Sequence, residues 1–132
     1  MKRLLSILFI ILLLVGCTQP AAEAPETTAS ELAYGDITGE ELVSLIGSDV
    51  MIIDVRTAEE YSQGHIEGAV NIPVDRFQTE FDELELSKDQ PLAIYCRSGN
   101  RSSFAYQILT KEGFDKVYHA PGVSQYNYPL VK

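Results

Sequence analysis

The stretch Cys96-Arg97-Ser98-Gly99-Asn100-Arg101-Ser102 gathers a thiol, two cations and turn-forming residues into seven consecutive positions. A cysteine acts as a nucleophile in its thiolate form, and an ordinary pKa of about 8.5 leaves only roughly 3% thiolate at neutral pH. Gly99 and Asn100 tolerate positive φ, so the backbone can curl around the sulfur with its N–H groups turned inward. Arg97 and Arg101 bring full positive charges, and a helix expected to follow adds the partial positive charge of its N-terminus. A pKa lowered to about 6.5 would raise the thiolate to roughly 75%. The same nest suits an anionic substrate or an extra sulfur carried on Cys96. A cysteine packed only as a small hydrophobe needs neither the glycine nor the arginines.

Other elements must deliver that loop to a surface. Leu92-Ala93-Ile94-Tyr95 is a wholly apolar run, the pattern of a strand buried on both faces, and it leads straight into Cys96. A helix from Ser102 to Glu112 is expected next, with Phe104, Ile108 and Leu109 inward and Gly113 at its end. Upstream, Val50-Met51-Ile52-Ile53 is a second apolar strand. Thr38 with Glu41, and Thr57 with Glu60, form capping boxes that open helices closed by Gly47 and Gly64. Ala69 to Ile72 is expected as a strand stopped by Pro73, Phe77 to Leu84 as a helix with Phe77, Phe81 and Leu84 on one side, and Lys116 to His119 as a last strand.

Strands alternating with helices of about ten residues imply an α/β fold with a mostly parallel sheet. Ligands bind such sheets beyond the carboxyl ends of the strands. Two loops fall there, one after Ile53 and one after Tyr95. The first carries Asp54 and Arg56, which either orient groups of the cysteine loop and complete its positive field or form a salt-bridged pair that braces the fold. The bracing role is the favoured one. Gly64-His65-Ile66 is taken as a turn holding the next strand, and His65 and His119 with one cysteine lack metal-ligand spacing.

The 132 residues leave room for one compact domain, expected to be monomeric. Ten Lys and Arg against 19 Asp and Glu give a formal charge of −9, which argues against a nucleic-acid partner and makes any arginine cluster conspicuous.

The cysteine loop is similar to the active-site loop of single-domain rhodaneses. The likeness continues in Ile53-Asp54-Val55-Arg56, Glu60-Tyr61, the run from Gly64-His65-Ile66 through Ala69-Val70-Asn71-Ile72-Pro73, Gly113-Phe114 and Val117-Tyr118. It covers essentially the whole expected domain. The resemblance implies a three-layer α/β fold with a five-stranded, mostly parallel sheet flanked by helices. It further implies a sulfurtransferase in which Cys96 takes sulfur from a small anionic donor such as thiosulfate, and passes the persulfide sulfur to a thiol or protein acceptor. Arg97 and Arg101 would bind the donor, with Ser98, Gly99, Asn100 and Ser102 cradling the sulfur and no metal or organic cofactor required. Related phosphatases and arsenate reductases place one more residue between cysteine and arginine, and the tighter loop here suits a single sulfur atom. Competing readings are a non-catalytic binding module, or a thiol redox or persulfide carrier served by a thioredoxin-like partner. One departure stands out: the family's Gly-Gly pair and Trp after the last strand are replaced by Pro121-Gly122 and Tyr126, so this loop is expected to have its own shape.

The N-terminus is set apart. Lys2 and Arg3 precede an apolar run from Leu4 to Val15, whose helical length of roughly 18 Å falls short of a hydrocarbon core of about 30 Å. It fits a signal peptide over residues 1–16. Leu14-Val15-Gly16-Cys17 resembles a bacterial lipobox, which implies lipidation of Cys17, a linker over residues 17–33, and a domain over residues 34–132 held to a membrane outside the cytoplasm. Cys96 is then the sole free thiol in an oxidising compartment.

Overall fold

The computed structural model describes residues 32–132; the proposed signal peptide, Cys17 and most of the linker lie outside them. Seven strands and four α-helices are formed there: β1 Gly35–Asp36, α1 Gly39–Ser44, β2 Met51–Asp54, α2 Ala58–Gln63, β3 His65–Ile66, β4 Val70–Asn71, α3 Phe77–Asp82, β5 Leu92–Tyr95, α4 Asn100–Lys111, β6 Val117–His119 and β7 Leu130–Val131. A single 3-10 turn, Val74–Arg76, leads into α3. The main sheet has the order β1-β6-β5-β2-β4, and every pairing in it is parallel.

Two apolar cores form on opposite faces because side chains alternate along each strand. Ile52, Ala93, Tyr95 and Tyr118 face α1, where Leu42 and Leu45 meet them. Ile53, Ile94, Cys96 and Val117 face the other way, against Phe77 and Phe81 of α3 and Ala105 and Leu109 of α4. The four residues of β5 are all buried, as their uniform apolarity requires. Both capping boxes are complete: Thr38 and Thr57 accept the N–H of Glu41 and Glu60, and each glutamate returns to the threonine N–H.

Several expectations need correction. Of the expected inward trio only Phe104 fails, at 56% exposed; Leu109 is buried with Ser102 and Ala105, and Ile108 packs partly buried against the same core. Leu84 lies past the end of α3 and is exposed, so only Phe77 and Phe81 of the expected trio pack inward. His65-Ile66 is a short strand, not a turn, and pairs antiparallel with Leu130-Val131. The edge strand Gly35-Asp36 is also additional, held in register against Tyr118 and His119. Helix α4 opens at Asn100, two residues earlier than expected, so its N-terminus sits closer to the cysteine.

Candidate active site

Cys96 is the first residue beyond β5, and the chain turns sharply after it. Gly99 adopts φ +91°, ψ −24° as the N-cap of α4, a conformation that costs any residue with a Cβ. Asn100 is already helical, so of the two residues suited to positive φ only Gly99 uses it. The turn aims the Gly99 N–H at Cys96 Sγ, 3.1 Å away, and places the Ser102 hydroxyl 3.4 Å from the same sulfur. Burial alone pushes the thiol pKa up. The Ser102 hydroxyl, then the N–H groups of Ser102, Ser98 and Gly99, outweigh it and bring the thiol below its ordinary value. Sγ is thus an anion site built mainly from amides and one hydroxyl. Cys96 itself has no solvent-exposed surface, while Arg97, Ser98 and Asn100 lie exposed above it.

The two arginines have different surroundings. Arg101 is clamped by Glu60 through two short bonds, 2.6 Å to Oε2 and 2.8 Å to Oε1. The guanidinium holds the Glu60 carboxyl down to about 2, although partial burial opposes the shift. Arg101 feels the Cys96 charge as well, but Glu60 offsets most of its own. Arg97 is exposed and, with Glu60, Gln63, Val123 and Leu130, lines a cleft of about 400 Å³ beside the loop. Glu60 carried a structural signal in the sequence, as half of a capping box, but none of its pairing with a residue 41 positions away.

Asp54 and Arg56 are paired in the interior. The Asp54 carboxylate accepts the Arg56 backbone N–H at 2.9 Å and its guanidinium at 2.6–3.0 Å, and the guanidinium also reaches the Gly64 carbonyl at 2.7 Å. The Asn71 amide bridges the carbonyls of Asp54 and Arg56, both at 2.9 Å. The pair therefore fastens the end of β2 to the α2–β3 junction and to β4. His65 stacks on Tyr61 and bonds its carbonyl at 3.0 Å.

The loop after β6 seals the site from one side. Val123 N–H donates to the Cys96 carbonyl at 3.0 Å, and Ser124 donates to the Arg97 carbonyl through N–H at 2.9 Å and Oγ at 2.6 Å. That approach demands a glycine: a Cβ on Gly122 would stand 2.1 Å from the Arg97 carbonyl oxygen. Pro121, which has no N–H to donate, takes part through its carbonyl, which accepts the Tyr128 hydroxyl at 2.8 Å. Tyr126 packs on Gly39, where a Cβ would lie 2.1 Å from its ring. Sequence reasoning also missed His119, whose ring lies 3.0 Å from Ser102 Oγ. Among the described residues no cluster of His, Cys, Asp and Glu is arranged to hold a metal ion.

A parallel sheet with a cysteine at the carboxyl end of its central strand, under a helix N-terminus, defines a class. The rhodanese-like domain model matches residues 38–123, and the chain belongs to that family. Thiosulfate sulfurtransferase PspE of Escherichia coli (strain K12) is 35% identical over 80 residues, covering 61% of this chain and 77% of that protein. A rhodanese-related protein from Thermoplasma volcanium superposes with a TM-score of 0.64 at 29% identity, covering 74% of this chain and 98% of that one. The tRNA uridine(34) hydroxylase of Escherichia coli O1:K1 / APEC is 35% identical over 78 residues, but the chain spans only 22% of its length. These likenesses support an enzyme of sulfurtransferase type.

Proposed function

We propose that the protein moves sulfane sulfur through a persulfide on Cys96, from a thiosulfate-like donor to a thiophilic acceptor. The observation that carries this is the sulfur's setting: Sγ receives the Gly99 N–H at 3.1 Å and faces the Ser102 hydroxyl at 3.4 Å. In the first step the Cys96 thiolate attacks the outer sulfur of thiosulfate. A new S–S bond forms at Cys96, the donor's S–S bond breaks, and sulfite leaves with the bonding pair. In the second step a thiophile such as cyanide or a thiolate attacks the outer sulfur, and Cys96 departs as thiolate. The inward amides serve both steps, because an anionic sulfur stands at their centre each time. Arg97 is the exposed cation suited to receive the donor's anionic end, and Arg101, tied to Glu60, stiffens the loop and adds to its field.

The experiment compares thiosulfate:cyanide sulfurtransfer by the full chain and by Cys96→Ser. Turnover by the parent and none by the variant is expected, with a 32 Da gain on Cys96 after exposure to donor. Equal rates in the two proteins would rule the mechanism out. A Cys96 that takes sulfur from no donor would instead favour a binding module. The position of the domain outside the cytoplasm, anchored through lipid on Cys17, belongs to the same proposal. Loss of membrane association in Cys17→Ser is its expected result.

A further inference from the structure

Behind the loop, away from its arginines, four side chains stand in hydrogen-bonding order. Asp36 Oδ1 lies 2.8 Å from His119 Nδ1, His119 Nε2 lies 3.0 Å from Ser102 Oγ, and Ser102 Oγ lies 3.4 Å from Cys96 Sγ. They come from β1, β6, α4 and the end of β5, and the parallel register sets Asp36 directly beside His119. The His119 side chain is 17% exposed and that of Asp36 92% exposed, so the chain of groups runs from the surface to a buried sulfur.

The order selects a tautomer. A carboxylate facing Nδ1 favours the proton on that nitrogen, leaving Nε2 of the neutral ring as an acceptor toward Ser102. Ser103 Oγ is a longer alternative partner of Nε2 at 3.4 Å. The Gly99 carbonyl also accepts from Ser102 Oγ at 3.0 Å, but a carbonyl cannot take a proton onward, whereas an imidazole can. The titratable groups facing His119 are Asp36 from β1 and Tyr106 from α4, with Cys96 one hydroxyl further at the end of β5.

We propose that His119, oriented by Asp36, accepts the Cys96 proton through Ser102 and holds the site as a thiolate–imidazolium pair. This deepens the sulfur-transfer reading and rests on Cys96 being the reacting sulfur. The step balances. The S–H proton moves to Ser102 Oγ while the Ser102 hydroxyl proton moves to His119 Nε2. An S–H and an O–H bond break, an O–H and an N–H bond form, and Ser102 ends neutral. One negative charge rests on sulfur and one positive charge on the ring, with no change in oxidation state. In the second half-reaction Cys96 is the leaving group, and the same hydroxyl points its proton at the departing sulfur. His119 never touches the sulfur and is a positioning residue.

The test reads the thiolate directly, as ultraviolet absorbance across a pH titration of the full chain with Cys96→Ser as the blank. In the parent, the thiolate should persist to lower pH than that of an ordinary cysteine. In His119→Gln its amount at acid pH should fall on the order of tenfold, one unit of pKa. Asp36→Asn should fall in the same direction by about threefold, half a unit. The coupling runs through Ser102, so in a Ser102→Ala background His119→Gln should leave the thiolate titration unmoved. A thiolate titration unchanged by His119→Gln, or shifted by it equally with and without the Ser102 hydroxyl, would overturn the pair. If His119→Gln fails to fold, the exposed Asp36→Asn, read with and without the Ser102 hydroxyl, still decides it. None of these readouts needs a sulfur donor. A Cys96 that titrates as predicted but takes up no sulfur would defeat the function proposed above and leave the pair standing.

Discussion

Ser102 and Glu60 show how single side chains set the chemistry of the loop. Ser102 is fully buried, and its hydroxyl is the strongest of the groups that lower the Cys96 pKa. Ser102→Ala removes it without adding bulk. The rate of persulfide formation at pH 6 should fall on the order of tenfold, as for one unit of pKa, and recover toward pH 9. Rapid-mixing measurement of the 32 Da adduct would check this, and an unchanged pH profile would show the amides to be sufficient alone. Glu60 acts on stability. Its carboxyl lies at about 2 in the fold against an ordinary 4.5, so its contribution is fully present above pH 4.5 and lost as pH falls toward 2. Both side chains of the pair are partly exposed, which limits that contribution to about 1 kcal/mol. Denaturant unfolding of the parent and Glu60→Gln should therefore differ at pH 7 and converge only as pH falls through about 2.

At the scale of elements, the close approach of the β6 loop to the cysteine loop hinges on Gly122. Gly122→Ala would drive a Cβ into the Arg97 carbonyl, which is backbone and cannot swing aside. A cost of about 1–3 kcal/mol is expected, together with loss of sulfur transfer as Arg97 shifts. Thermal unfolding and activity measured on one preparation would test both parts. Helix α4 supplies a contrast. Leu109→Ala should cost about 2–5 kcal/mol, whereas Phe104→Ser should stay within roughly 0.5 kcal/mol. These elements also show what was legible in advance. The capping boxes at Thr38 and Thr57 are local, complete within four residues, and both form as the spacing implied. The apolar runs before Asp54 and Cys96 became buried parallel strands because nothing polar interrupts them. Phe104 was misplaced because its apolarity hid that the inward face runs through Ser102, Ala105 and Leu109, with Ile108 at its border. Two-residue strands such as Leu130-Val131 carry no period of their own, and only pairing across the fold defines them. The Glu60–Arg101 and Asp36–His119 contacts span 41 and 83 positions, beyond the reach of any local pattern.

Over the whole molecule, an acidic chain surrounds the site proposed to receive an anionic donor. The formal charge is −9, while the cations of the loop are Arg97, exposed, and Arg101, offset by Glu60. Far from the site a doubly charged donor meets net repulsion; within a few ångströms it meets Arg97 and the inward amides. Salt separates the two ranges. At about 0.01 M ionic strength the screening length is roughly 30 Å, so the whole surface is felt, and near 0.15 M it shrinks to roughly 8 Å. The contact with Arg97 is short enough to survive that change, while the repulsion is not. The kcat/KM for thiosulfate should therefore rise a few-fold between those ionic strengths. Arg97→Ala should weaken donor capture at both, raising KM more than it lowers kcat, because the hydrogen bonds that hold the sulfur come from Gly99 and Ser102. A kcat/KM that falls with added salt in the parent would mean that the loop's field, not the acidic surface, governs the donor's approach.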